Sequence, residues 1–496
     1  MYYTRTTHTA SEKTAVQIVE YQGKHTRVIK HIGSAASDEE VKLLKEQAHL
    51  YIRKITGQIP LFPLNDNSKS KILHLNKIKY LGFRYTFLYE TIYRIFSILK
   101  FNSLTELLTD FVLIRIVEPT SKLRSLELLE EWFGRKYKKS SVFKKLLTFI
   151  LLKEEIEKLI VNYARKHLSF DFTLVFYDVT TLYFETDNYD DFRNFGYSKD
   201  NKGSQPQIVI GLLVNKDGFP LYFEIFEGRT FEGHTLIPSV KAIKQKYDIK
   251  DLTVVADAAM ISIDNIKLLK EHFVNYIVGA RLGNLKHALL EEISETLPRK
   301  DQSSIRLVTS CGDLICDYSL KRFTKDSREM EKQIKKANII LNDPSRILKR
   351  CKFIRGTRKT RYAINEELIE KTRKLLGIKG YYTNLNLPNE DVIEQYHYLW
   401  TIERSFRIAK SDLKIRPVFH RKRDTIRVHV LICFMALAVV RLIEIKTRKS
   451  LKKILKLFRK VTDARILNLL NDEEIILRTE ISEDTKKILR LLGLPY

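Results

Sequence analysis

The strongest constraint on the fold is a change of pattern near residue 171, where helical periodicity gives way to short apolar runs of strand length. Five runs are predicted to be strands: Thr173–Tyr177, Ile208–Val214, Leu221–Phe226, Leu252–Ala256 and Asn275–Gly279. A turn at 216–218 makes the second and third a hairpin, and helices at about 234–247 and 262–272 precede the last two. The order β-β-β-α-β-α-β predicts an α/β fold with a mixed sheet, in which a right-handed crossover places the fourth strand beside the first.

Two of these predicted strands are followed directly by an aspartate. Asp178 follows the first strand and Asp257 follows the fourth. A single aspartate at a strand end is usually a turn or cap residue. Because these two strands are predicted neighbours, we expect both carboxylates at the sheet edge where open α/β sheets bind ligands.

A third carboxylate comes from a helix predicted from about residue 390 to Pro417. Its buried face is a stripe of apolar residues: Leu399, Ile402, Phe406, Ala409 and Leu413. Beside it lies a charged stripe: Glu403, Arg407, Lys410 and Lys414. A solvated helix face explains such a stripe equally well, and Glu403 and Arg407 could form an i,i+4 ion pair. The alternative is a metal-binding glutamate followed by cations that lie beside a DNA backbone.

The type of donor decides which metal these acids would bind. Three carboxylates without histidine or cysteine favour Mg²⁺ or Mn²⁺ over zinc. Two such ions support an in-line phosphoryl transfer. The four cysteines lack zinc-site spacing and are too few for a disulfide framework, which indicates a reducing cytosol.

The net charge points to a polyanionic partner. The chain has 87 Lys and Arg against 60 Asp and Glu, a formal net charge of +27, which favours nucleic acid over an unrelated basic enzyme. One basic run lies between residues 349 and 361 and contains no acid. Its candidate phosphate contacts are Lys352, Arg355, Arg358 and Lys359, and a solvated loop is the alternative.

The remaining chain divides into further predicted units. A hairpin over residues 14–33 precedes a helix that begins at Ser37 or Asp38, and residues 81–168 are predicted to be helical. The predicted domains are 1–60 (hairpin and helix), 61–170 (helical), 171–280 and 391–446 (the two parts of the core), 281–390 (β-rich insertion) and 447–496 (basic helical region). The apolar run Val428–Val440 is too short to span a bilayer, so it is predicted to be a buried helix. With no signal peptide pattern at the N-terminus, we expect a cytoplasmic protein with no membrane partner.

Several motifs occur in the order seen in one known family. They are Tyr177–Glu185, Phe195–Asp200, Phe226–Gly228, Val254–Ala258 and Ile402–Arg407. With these motifs the sequence resembles bacterial insertion-sequence transposases of the DDE class, in the insertion-sequence-four-like group that has a β-rich insertion before the final glutamate. The last block of that group has the signature Y-(2)-R-(3)-E-(6)-K. Tyr396, Glu403 and Lys410 fall on its Tyr, Glu and Lys positions, whereas Leu399 replaces the Arg, a phosphate contact that Arg404 or Arg407 could supply.

The resemblance implies both a fold and an activity. It implies a ribonuclease H-like core, in which Asp178, Asp257 and Glu403 bind the metal ions and Tyr396 contributes to DNA binding. It also implies an N-terminal helical domain that binds DNA. It implies cleavage at the ends of the element followed by strand transfer into target DNA, carried out by a homodimer on paired terminal inverted repeats in the bacterial nucleoid. Two alternatives stay open: an inactive DNA-binding protein derived from a transposase, and a ribonuclease H-like nuclease that cuts without joining.

Overall fold

The computed structural model describes residues 2–23, 25–56, 77–186, 188–196, 204–260, 262–342, 351–356, 362–469 and 472–495. The chain begins with an antiparallel sheet of β1 (Tyr2–His8), β2 (Thr14–Gln22) and β3 (His25–Ala35), so the predicted hairpin is confirmed. Helix α1 (Asp38–Thr56) packs Leu44 and Ala48 against Val16 and Ile18 of β2. The Ser37 hydroxyl accepts a hydrogen bond from the Glu40 N–H, which confirms that the helix begins there.

The next segment is the predicted helical block. It contains β4 (Ile78–Arg84), α2 (Thr86–Ile98), α3 (Glu106–Val117), α4 (Lys122–Phe133), α5 (Lys139–Leu146) and α6 (Lys153–His167). Helix α3 is buried along nearly its whole length and packs against the C-terminal helix α14 (Arg423–Thr447). The helical block therefore shares one hydrophobic core with the sheet that follows it.

The central sheet has eight strands. Its first strands are β5 (Leu174–Tyr183), β6 (Gln207–Val214), β7 (Pro220–Glu227), β8 (Thr253–Ala256) and β9 (Asn275–Ala280), with α7 (Leu236–Lys246) and α8 (Ile263–Glu271) between the last three. In the described part of the chain the strand order is β10 (Ser304–Thr309), β11 (Gly312–Tyr318), β14 (Ile378–Thr383), β9, β8, β5, β6, β7. Strand β8 pairs in parallel with β5, as the crossover rule predicts, whereas β6 and β7 continue the sheet in antiparallel fashion. The predicted mixed sheet is confirmed.

Residues between β9 and α12 (Asn389–His397) extend this sheet. Strands β10 (Ser304–Thr309), β11 (Gly312–Tyr318) and β14 (Ile378–Thr383) join it through antiparallel pairing of β14 with β9. The segment also contains α9 (His287–Thr296), α10 (Leu320–Asn342), α11 (Glu366–Lys374) and a small ribbon of β12 (Ile354–Arg355) and β13 (Ala363–Ile364). Helix α10, which is not among the predicted elements, buries Met330 and Ala337 against Phe353.

The C-terminal part contains α12, α13 (Trp400–Arg407), α14, α15 (Leu451–Phe458), β15 (Asp463–Asn468), β16 (Glu473–Arg478) and α16 (Glu483–Leu492). Strand β15 pairs with β16 and with β4, so the end of the chain returns to the helical block. By length and composition α14 could cross a membrane, but 94% of its most apolar window is buried inside the protein. This burial confirms the prediction of a core helix.

Candidate active site

Asp178 lies within a strand rather than after one. The prediction that β5 ends at Tyr177 is wrong, because β5 continues through Tyr183 and pairs with β6 up to Gln207. The β-branched and apolar residues after Asp178 favour this continuation, since they fit a buried, pleated surface. Asp178 is half-buried, and its Oδ1 accepts a hydrogen bond from the Val179 N–H at 2.7 Å.

Asp257 follows β8 directly, as predicted. The last parallel pair of β5 and β8 is Tyr177 with Ala256. Asp178 and Asp257 are the residues that directly follow this pair on the two neighbouring strands. This register confirms that the two aspartates are neighbours. Asp257 is exposed, and its Oδ1 accepts hydrogen bonds from the Ala258 N–H at 2.7 Å and from the Tyr396 hydroxyl at 3.3 Å.

Glu403 lies on α13, which packs against β5 and β6. Ile402 and Phe406 are buried against the sheet, and the whole predicted apolar stripe is buried, whereas Glu403 is exposed. The charge of Glu403 acts on Tyr396 and on Lys379, and the charge of Asp257 acts on the same two residues. Glu403 and Asp257 therefore both lie near the region occupied by Tyr396 and Lys379.

Helix α13 is fixed to the sheet on its far side by a buried polar network. The Ser405 hydroxyl donates to the Gly218 carbonyl at 2.7 Å, in the turn between β6 and β7. Arg404 and Arg441 both donate to Oε2 of Glu444, at 2.8 and 2.9 Å. Arg441 also donates to the Gly218 carbonyl at 3.2 Å. These contacts fix the position of α13, and with it that of Glu403, relative to the sheet.

The charged stripe does not continue as a regular helix. Arg407 ends α13, a π-helical turn follows at Ile408–Asp412, and Lys414 has a positive φ of 45°. Arg407 and Lys414 are exposed and Lys410 is half-buried. Glu403 and Arg407, both in the described part of the chain, form no ion pair, so that explanation of the stripe is not supported.

Tyr396 is buried, in contrast to the exposed position that a direct DNA contact needs. Only 3% of it is accessible, its ring packs on Tyr381, and burial followed by the nearby charge of Asp257 raises its hydroxyl pKa. A neutral hydroxyl that donates to Asp257 orients this carboxylate. Tyr396 thus contacts the acidic site itself.

Lys379 of β14 was not among the residues that the sequence singles out. Its Nζ lies 4.3 Å from the Tyr396 ring centroid and 5.5 Å from that of Tyr381. Burial lowers its pKa, and Arg322 adds to the effect, while Asp317, Asp257 and Glu403 oppose it. Its strand is largely buried, with Lys379 and Tyr382 half-buried, and no local sequence signal marks this lysine as part of the site.

The basic run before β13 is only partly described. Lys352 and Arg355 are exposed, and Lys352 lies over the Phe353 ring at 5.1 Å. Arg358 and Lys359 lie outside the described residues. The phosphate contacts expected of this run stay predictions.

The chemistry and the placement of the acidic residues decide whether they suit a metal ion. Asp178 and Asp257 offer adjacent oxygen donors, which suit a hard divalent cation. Among the described residues, no three His, Cys, Asp or Glu side chains lie close enough together to hold an ion as they stand. The two aspartates therefore fit two of the ligands of a divalent metal ion. Glu403, on helix α13, is the predicted third ligand.

Fold and site together define a mixed α/β protein with carboxylates gathered at one edge of its sheet. Residues 169–439 match the transposase DDE domain family, and this chain belongs to that family. The matched region contains Asp178, Asp257 and Glu403. The family predicted from the sequence motifs is thereby confirmed.

Individual proteins are also similar to this chain. It is 27% identical over 126 residues to the transposase for insertion sequence element IS231E of Bacillus thuringiensis subsp. finitimus, which covers 25% of this chain and 26% of that protein. The chain thus matches about a quarter of the length of this relative. A structure of the piggyBac transposase synaptic complex with hairpin DNA aligns over 73% of this chain and 79% of its own, with 10% identity and a TM-score of 0.38.

Proposed function

We propose that this protein is a DNA transposase that cleaves the ends of an insertion sequence and joins the freed 3′-hydroxyl ends to target DNA. The observation that carries the proposal is the parallel register of β5 and β8, which brings Asp178 and Asp257 side by side. The helix of Glu403 packs on the same strand, β5, within the family region. The core is proposed to be ribonuclease H-like.

Each acidic residue has a proposed role. Asp178 and Asp257 would hold a divalent ion, and Glu403 would complete the ligand set from α13. Mg²⁺ or Mn²⁺, as two ions, would supply charge stabilisation for both the attacking and the leaving oxygen. Tyr396 holds Asp257 in its orientation through the hydrogen bond at 3.3 Å.

The proposed reaction has two displacements at phosphorus. First, a water oxygen bonds to the phosphorus at the element end, the bond from phosphorus to the 3′-oxygen breaks, and that oxygen gains a proton. The freed 3′-hydroxyl then loses its proton and bonds to a phosphorus of the target strand, whose own 3′-oxygen leaves. No bond to the protein is needed in either step.

The proposed partner is double-stranded DNA, namely the terminal inverted repeats and the target. Arg407 and Lys414 are exposed next to the acidic edge, with Lys410 beside them, and they are proposed to contact its phosphates. Lys352, Arg355, Arg358 and Lys359 are proposed to do so from the segment 281–390. The helical region 61–170 is proposed to bind the repeats, and the working unit is proposed to be a homodimer in the bacterial cytoplasm.

The test uses a plasmid that carries the gene for this chain with its own flanking DNA on both sides. The purified protein is incubated with it in Mg²⁺ or Mn²⁺, and nicked, cut and joined products are separated. Asp178→Asn, Asp257→Asn and Glu403→Gln are each expected to lower the cleavage rate by on the order of 10³ or more while DNA binding persists. Asp251→Asn is the matched control, because Asp251 is an exposed acid before β8, at the opposite edge from Asp257.

The outcomes separate the candidate functions. Joined products that require all three acids support a transposase. Cut DNA without joining indicates a nuclease, and binding without cleavage by the unmodified protein indicates an inactive DNA-binding relative. Normal cleavage by all three variants would mean that the assigned acids are wrong.

A further inference from the structure

Strand β14, in the segment between β9 and α12, contributes Lys379, whose charge interacts with those of Asp257 and Glu403. Strand β14 pairs with β9 and β11, and its alternation places Lys379 and Tyr381 on one face of the sheet. Gly279 lies on that face, and because it has no side chain there is room beside it for the Tyr396 hydroxyl. Lys379 thereby lies over the Tyr381 and Tyr396 rings, and Tyr396 donates a hydrogen bond to Asp257.

The ammonium group of Lys379 is held in place without being neutralised. Among the described residues it has no hydrogen bond and no ion pair within 4.0 Å, and its only specific contacts are the two tyrosine rings. Such an ammonium has three N–H donors, and a half-buried position limits the water that can satisfy them. The charges of Arg322, Asp317, Asp257 and Glu403 act on it at longer range, and none of the three carboxylates forms an ion pair with it within 4.0 Å. The ammonium therefore has no anion in direct contact.

We infer that Lys379 binds a non-bridging oxygen of the scissile DNA phosphate, and is thus a further catalytic residue. The inference rests on the proposed function, because a phosphate enters this region only as the substrate of the acidic site. Once the carboxylates are covered by divalent cations, the anion available to Lys379 is the phosphodiester, and a lysine ammonium binds phosphate as a compact point charge. Lys379 keeps its protons and forms no covalent bond, and it stabilises charge that grows on the phosphate oxygens.

A purely structural role makes a different prediction. Cation–π contacts with two tyrosines stabilise a fold, so loss of the charge would lower the unfolding temperature and leave the rate of the folded protein unchanged. A phosphate contact has the opposite signature. Removing one donor to a transition-state oxygen typically slows the chemical step by about 10²–10³-fold.

The experiment compares Lys379→Met, which keeps the length of the side chain over the rings, with Lys379→Arg, which keeps the charge. Lys216→Met is the matched control, because Lys216 is an exposed lysine in the turn between β6 and β7, beside Asp171 at the far edge of the sheet. Cleavage of the plasmid with flanking DNA is followed at saturating protein, alongside DNA affinity and the unfolding temperature.

We expect Lys379→Met to cleave about 100-fold more slowly, with DNA affinity within about threefold of the unmodified protein. Lys379→Arg should recover at least part of the rate, and Lys216→Met should match the unmodified protein. If Lys379→Met cleaves normally while Asp257→Asn is inactive, Lys379 is not catalytic but the proposed function stands. If the unmodified protein does not cleave at all, the proposed function and this inference fail together.

Discussion

The hydroxyl of Tyr396 donates a hydrogen bond to Oδ1 of Asp257 at 3.3 Å, and so joins residues that lie 139 positions apart. The same Oδ1 accepts from the Ala258 N–H at 2.7 Å. Two donors on one oxygen fix the rotation of the carboxylate. The orientation of the proposed metal ligand thus depends on a residue of α12.

Tyr396→Phe removes this hydrogen bond and keeps the ring. A hydrogen bond to a charged group contributes about 1.5–3 kcal/mol, so we expect cleavage at subsaturating Mg²⁺ to fall by roughly 10- to 100-fold. Higher Mg²⁺ should restore part of the rate, because the defect lies in metal binding. Measuring the cleavage rate against Mg²⁺ concentration checks this. An unchanged half-saturating concentration would show that the hydroxyl does not orient Asp257.

Gly279→Ala tests the same contact from the sheet. An added Cβ would lie 2.6 Å from the Tyr396 hydroxyl oxygen and 3.1 Å from the Ala258 nitrogen. Overpacking of this kind costs about 1–3 kcal/mol, and it should also displace the turn that follows Asp257. We expect lower stability in urea and slower cleavage.

The double variant Gly279→Ala with Tyr396→Phe provides the control for this interpretation. Phe lacks the oxygen that the new methyl group meets, so the double variant should be more stable than Gly279→Ala alone. The two substitutions should therefore be non-additive by at least about 0.5 kcal/mol. Strict additivity would place the strain elsewhere, at Ala258.

Much of this site follows from sequence pattern, and the reasons are physical. Asp257 was predicted because an apolar strand ends one residue before it, and its proximity to Asp178 because crossovers have one handedness. The end of β5 was predicted wrongly, since β-branched residues after Asp178 continue the strand through Tyr183. Lys379 could not be predicted, because the pairing of β14 with β9 depends on long-range contacts that leave no local signal.

Glu444 is expected to matter for stability far more than its place in an apolar helix suggests. It is buried and accepts hydrogen bonds from Arg404, Arg441 and the Leu451 N–H. Glu444→Ala leaves Arg441 buried with its carboxylate removed, which costs about 3–5 kcal/mol. Chemical denaturation should show this loss.

The matched control for Glu444 is a surface pair. Glu474 pairs with Arg465 on β16 and β15, where both side chains are partly exposed. Because solvent screens such pairs, Glu474→Ala should cost no more than about 1 kcal/mol. Equal losses for the two variants would contradict a special role for the buried network.

Lys122 makes the free energy of unfolding depend on pH. Its Nζ lies 3.1 Å from Nε2 of His420, it is nearly fully buried, and burial followed by repulsion from Arg115 lowers its pKa to about 7. In the unfolded chain a lysine has a pKa of about 10.4. Between pH 7 and 10 the unfolded state therefore binds more protons than the folded state. Stability from this residue therefore rises as the pH increases through that window.

Lys122→Met isolates this contribution, since the other titrating groups facing it, Arg115, His420, His429 and Cys433, are present in both proteins. We expect the free energy of unfolding of the unmodified protein, relative to Lys122→Met, to increase by up to about 4 kcal/mol between pH 7 and 10. Denaturation in urea at several pH values measures the difference. A difference that stays constant with pH would show that Lys122 remains protonated in the folded protein, and that the neighbouring histidine accepts its hydrogen bond.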